Sequence, residues 1–166
     1  MSFNYLSGEH VTNFHEGRPL LFRKPDAAFT LANVMRAHLT TAVASLRIGM
    51  DIMDAEKIEL DAMTGHGGFF KAEGIGQKIM SAALGTPVTV METASEGGPW
   101  GMAVLAAYLK NKEEIETLSG YLATRVFKGA KSVTVAASDE EAAGFAKFME
   151  AYKKSLAVEC AAVEAY

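Results

Sequence analysis

The sequence has 166 residues and a mass of 17.8 kDa, a size that fits one domain or two small ones. Apolar residues make up 49% and charged residues 22%, which excludes a disordered chain. Sixteen Lys and Arg against twenty Asp and Glu leave a net charge of −4 with no basic tract, so no nucleic-acid partner is expected.

Uncharged runs such as 97–109 fall short of the roughly 20 residues a membrane span needs, so no membrane partner is expected either. The opening Met1-Ser2-Phe3-Asn4-Tyr5 lacks the basic-then-apolar pattern of a signal peptide. The single Cys160 allows no internal disulfide, which fits a reducing, cytoplasmic setting. With no histidine near it in sequence, Cys160 reads as a small buried apolar residue.

Residues 1–25 mix Gly8, Gly17, Pro19 and Pro25 with polar and aromatic residues, and predict an irregular segment with one short strand at 20–23. From Asp26 to about Met53, Leu31, Val34, Met35, Leu39, Ala42, Leu46, Met50 and Met53 recur at three- and four-residue spacings. That periodicity predicts one long helix, capped by Thr30 or Asp26. Ile58, Leu60 and Ala62 then alternate with polar neighbours and predict a strand. Thr64-Gly65-His66-Gly67-Gly68 is too glycine-rich to remain regular.

A second helix is predicted with Ile75, Ile79, Met80 and Ala83 on one face and Gly85 at its C-cap. Thr86-Pro87 opens a β-branched run, Val88-Thr89-Val90-Met91. Glu96-Gly97-Gly98-Pro99 precedes a third helix, with Pro99 suited to its first turn. A helix over about 113–127, a short strand at 133–135 and a helix from a Ser138–Glu141 capping box to about Lys154 complete the pattern. The apolar, alanine-rich residues 155–166 are left to dock, pair or fray.

The order strand, glycine turn, helix, strand, glycine turn, helix implies parallel strands joined by a crossover, within a helix-rich α/β domain. Residues 26–110 read as its core and 111–166 as a helical extension.

Two glycine turns at the carboxyl ends of adjacent parallel strands face one crevice, where open α/β sheets bind ligands. Glycines admit close backbone approach, and a helix N-terminus favours phosphate oxygens. The residues alone equally allow tight turns with no ligand. Neither G-x-G-x-x-G nor G-K-[ST] occurs, so these are not the common nucleotide fingerprints. Trp100 reads as a core residue in preference to a stacking platform. His10, His15, His38 and His66 lack ligand spacing, and no metal site is expected.

The stretch 64–109 resembles the C-terminal part of FGGY carbohydrate kinases, nearest the xylulokinase- and ribulokinase-like branch. The resemblance rests on Thr64-Gly-His-Gly-Gly68, Leu84-Gly85-Thr86-Pro87-Val88, Glu92 to Glu96 and the run from Pro99-Trp100-Gly101 to Ala107. It implies part of an actin-like ATPase (ribonuclease H-like) domain with a short, partly parallel sheet. The implied protein is an ATP-dependent kinase, with Mg2+, acting on a sugar hydroxyl such as that of a ketopentose.

By the same resemblance Gly67, Gly68 and Lys71 would contact the nucleotide, and Glu96, Gly97, Gly98 and Gly101 would line its cleft. Phe69, Phe70 and Lys71 stand where the family has small and polar residues. The family's sugar-binding lobe and catalytic base lie upstream of the matching stretch. No residue here carries over as catalytic base, which implies a C-terminal piece inactive alone that reaches sugar only through an N-terminal lobe. The second reading is a non-catalytic helical module that self-associates through the long helix and the apolar tail.

Overall fold

The computed structural model describes residues 1–72, 74–92, 94 and 97–165. Strand β1 (Ser2–Phe3) pairs antiparallel with β2 (Leu20–Leu21), so the first 25 residues are less irregular than their composition predicts. Helix α1 (Leu31–Thr41) starts where Thr30 accepts a hydrogen bond from the Asn33 N–H. Helix α2 (Ala44–Ala55) follows almost at once.

Of the two expected starts the Thr30 cap is the one used, but the single long helix is wrong: it breaks at Val43, whose backbone leaves helical geometry at φ −112°, ψ 3°. The cause is tertiary. The Thr41 hydroxyl donates to the Ser2 carbonyl at 2.7 Å, which fastens the end of α1 to β1. The change of direction buries both Val43 and Ala44, neighbours that one straight stripe would separate. Several expected stripe residues, including Leu31, Met35 and Leu46, are exposed as a result.

Strand β3 is Met63–Gly65, not the alternating run expected at 58–62. Its parallel register, Met63 opposite Val88, starts where β4 (Val88–Met91) starts. Pro87 has no N–H to extend that ladder backwards, so residues 58–62 have no partner strand. Between the two strands runs α3 (Ile75–Leu84), closed by Gly85 at φ 67°, whose N–H donates to the Ser81 carbonyl. Strand β5 (Ser132–Val135) pairs antiparallel with β4, giving a mixed sheet ordered β3-β4-β5. Gln77, buried on α3, ties helix to sheet by donating from Nε2 to the carbonyls of Val88 (2.9 Å) and Val133 (2.8 Å).

Helix α4 spans Gly97–Asn111 and has no buried residue. Met102, Leu105 and Leu109 leave an apolar stripe of it open to solvent. The helix expected over 113–127 is replaced by a turn, a short α5 (Leu118–Tyr121) capped by Thr117, and a π-turn over Leu122–Val126. The Thr117 hydroxyl competes for the Gly120 N–H and restarts the helix there. Trp100 lies tilted against Phe127 at 5.7 Å and Tyr108 edge-on to Tyr121 at 5.3 Å, which holds this segment to α4; Trp100 is half-buried there, not a core residue as expected.

Helix α6 runs from Asp139 to Ala165, eleven residues past the expected end at Lys154. Its start is the expected capping box: Ser138 N–H to Glu141 Oε2, and Glu141 N–H to Ser138 Oγ. Its length is explained by what it lies across. Phe145, Met149 and Tyr152 join Phe3, Tyr5, Val43, Ala44 and Ala83 in the core. Tyr152 donates to the Tyr5 hydroxyl at 2.8 Å, and fully buried Glu159 accepts the Arg18 N–H at 2.6 Å. The tail therefore docks on residues 5–18. Cys160 is exposed, not buried as expected, because α6 turns that face to solvent. A hydrogen bond to Glu164, and the charge of that carboxylate, raise its thiol pKa.

Candidate functional site

Parallel pairing of β3 and β4 puts their carboxyl ends side by side, and each end runs into a glycine turn. After β3 the chain passes through His66 and Gly67 into a 3-10 turn, Gly68–Phe70, with Lys71 at its end. After β4 it reaches buried Ala94 and then the start of α4 at Gly97. The turns meet directly: the Gly67 N–H donates to the Ala94 carbonyl at 2.6 Å.

Gly67 sits at φ +100°, ψ −180°, a conformation essentially restricted to glycine. A Cβ at Gly67, Gly68, Gly98 or Gly101 would meet nothing within 4 Å, so these residues form an open, side-chain-free wall. The first N–H groups of the 3-10 turn and of α4 have no acceptor within their own helices. Such a surface approaches an anionic or polar ligand through backbone donors, and α4 adds the partial positive charge of its N-terminus.

The structure thus brings Gly67 and Gly68 together with Gly97, the first residue of α4; Gly98 and Gly101 follow on that helix, and Lys71 directly follows the Gly68–Phe70 turn. Glu96 lies outside the described residues. The aromatic pair turns inward. A Cβ on Gly65 would meet the Phe70 ring at 2.5–2.7 Å, and Phe69 packs on Gly76 of α3 and against the core. The two rings meet edge to face at 5.5 Å. Phe69 and Phe70 therefore anchor the turn from below and leave its glycine side clear.

The sequence sets His66 aside for lack of metal-ligand spacing and gives it no other role. Its side chain lies against Gly97: a Cβ there would stand 3.0 Å from the His66 Cβ and 3.3 Å from Nδ1. The one signal pointing to it was its place between glycines at the end of a strand.

A cleft elsewhere, among α2, α3 and α6, is floored by Ala83, Phe145 and Met149 and rimmed by charges. Those charges pair with one another, Arg47 with Asp51 at 3.2 Å and Lys153 with Asp51 at 2.5 Å. It reads as an ion-pair network over apolar packing.

A family model for the C-terminal domain of the FGGY family of carbohydrate kinases matches residues 2–109, about two thirds of the chain. The chain belongs to that family. The match runs from β1 into the last turns of α4 and so contains both glycine turns and the sheet edge that carries them. No individual curated protein matches the chain.

The helix-rich α/β architecture with its short mixed sheet fits the C-terminal domain of an actin-like ATPase-type kinase fold. As an FGGY domain the chain is part of a sugar kinase. Residues 110–165 lie outside the match, yet α6 among them supplies three of the eight central core residues.

The glycine wall suits a nucleotide in offering close backbone approach. Among the described residues no group of three His, Cys, Asp or Glu could hold an ion. Among the described residues no helix is long and apolar enough to cross a membrane.

Proposed function

We propose that this chain is the nucleotide-side portion of an ATP-dependent carbohydrate kinase of the cytoplasm, acting on a hydroxyl of a ketopentose such as xylulose or ribulose. The observation that carries the reading is the junction of the two glycine turns at the ends of parallel β3 and β4.

ATP supplies the transferable phosphoryl group. The chain's own part is to hold and orient. Gly67 and Gly68 let the backbone reach the nucleotide without side-chain obstruction. Gly97 and Gly98 present the start of α4 to it, and Lys71 adds a cation beside the first turn. Phosphoryl transfer depends on positioning and charge stabilisation around the moving group. One wall of a cleft cannot perform it, and no residue of this chain matches the family's catalytic base. We assign that base, and the sugar contacts, to an N-terminal lobe. The uncovered apolar face of α4 at Met102, Leu105 and Leu109 suits coverage by such a neighbour.

The test compares ATP-dependent phosphorylation of xylulose and ribulose by the chain alone and by a protein joining it to an FGGY N-terminal lobe. Turnover only in the joined protein supports the reading. A joined, folded protein that phosphorylates neither sugar and hydrolyses no ATP rejects it.

A further inference from the structure

Two turns separated by some thirty residues make a common wall only if their separation is fixed. One fixing contact is the backbone hydrogen bond from Gly67 to Ala94. The other is steric and involves His66. The His66 side chain lies beside Gly97, such that a Cβ there would stand 3.0 Å from the His66 Cβ, 3.3 Å from Nδ1 and 3.4 Å from Cγ. Real Cβ contacts are rarely so tight, so a side chain at 97 requires His66 or the turns to give by a few tenths of an ångström. Gly98 and Gly101, a few residues on, face open space and carry no such restriction.

His66 is exposed and makes no hydrogen bond or ion pair among the described residues, so hydrogen bonding does not account for its position. Among the described residues, its packing against Gly97 is what places it. We propose that His66 is a positioning residue of the nucleotide wall: its side chain sets the gap between the turn after β3 and the start of α4, and Gly97 is the space cut to receive it. The inference rests on the nucleotide reading above and deepens it. It assigns Gly97 to steric fit with His66, and Gly67 and Gly68 to backbone approach.

The experiment is a cycle of three variants of this chain, Gly97→Ala, His66→Gly and the two combined, titrated with a non-hydrolysable ATP analogue, with the thermal midpoint measured alongside. Glycine is needed at 66 because the closest clash involves the histidine Cβ, which alanine would keep. Overpacking by Gly97→Ala should weaken analogue binding at least about fivefold. Adding His66→Gly should recover a large part of that loss, since the space is then vacant. If the two residues do not press on each other, the substitutions act independently and their losses in affinity and in midpoint add.

The inference is overturned if Gly97→Ala binds as well as the parent chain, or if the double variant binds no better than Gly97→Ala. A parent chain that ignores the analogue defeats the nucleotide reading and this inference with it. A parent chain that binds, beside an unaffected Gly97→Ala, defeats the inference alone.

Discussion

Gln77 offers a sharp test of how the sheet that carries the site is held to the helices. Its amide is buried, with Nε2 donating to one carbonyl on β4 and one on β5. Replacement by methionine keeps the bulk and removes both donors, at roughly 1 kcal/mol each, so about 2 kcal/mol. Replacement by glutamate keeps the shape but turns a two-proton donor into a group that, when ionised, only accepts. Its oxygens would then face two carbonyl oxygens at hydrogen-bond distance, so the folded state must keep the carboxyl protonated.

The folded pKa of the introduced carboxyl is thereby raised above its unfolded value of about 4.3, and between those two values the native state binds more protons than the unfolded state. Stability must fall as pH rises through that window, by about 1.4 kcal/mol per pH unit. At pH 7 the loss approaches about 4 kcal/mol, a large part of the roughly 5–15 kcal/mol that holds a domain together. Near pH 4 the neutral acid still donates one hydrogen bond, and Gln77→Glu should match or exceed Gln77→Met. Urea unfolding of the parent and both variants across this pH range measures the difference directly. A Gln77→Glu variant whose deficit is the same at both ends of the range refutes the assigned contacts.

Other substitutions address the site and its supports. Gly67→Ala places a Cβ in open space at φ +100°, so its expected cost of about 1–3 kcal/mol is pure backbone strain, visible as a lower urea midpoint and weaker nucleotide-analogue binding. Ser138→Ala removes the hydroxyl that caps α6 and should cost about 1 kcal/mol by the same measurement. Burial raises the pKa of both the Tyr5 and Tyr152 hydroxyls above the ordinary value near 10. The unfolded chain therefore ionises first, the native state keeps more protons, and stability should fall as pH climbs past about 10. Tyr152→Phe should cost about 1 kcal/mol at neutral pH and show a shallower alkaline decline, read by denaturant unfolding between pH 8 and about 11.

What the sequence revealed and what it hid divide by range of interaction. Gly85, Pro87 and the Ser138–Glu141 box act on residues within one turn, and each ends or starts its element where local chemistry requires. The break at Val43 depends on Thr41 reaching Ser2, thirty-nine residues away, and no local pattern announces it. The continuation of α6 depends likewise on Tyr152 and Glu159 meeting residues 5 and 18. Ile58, Leu60 and Ala62 alternate as a strand should, yet a strand forms only where β4 can pair with it.

Near the junction, Gly67 is legible because its requirement is backbone geometry. The inward turn of Phe69 and Phe70 was not, since Gly65 and Gly76 read as turn and helix residues until the rings are seen to rest on them. His66 was hidden for the same reason: its partner is a glycine in a different turn.

If this chain serves a kinase, the joined turns must form one wall of a nucleotide site. Backbone amide chemical shifts of this chain, recorded while a non-hydrolysable ATP analogue is added to millimolar concentration, test that most directly. Shifts concentrated at residues 67–71 and 97–101 are predicted. Shifts confined to the cleft beside Arg47 and Lys153, or none at all, would contradict it.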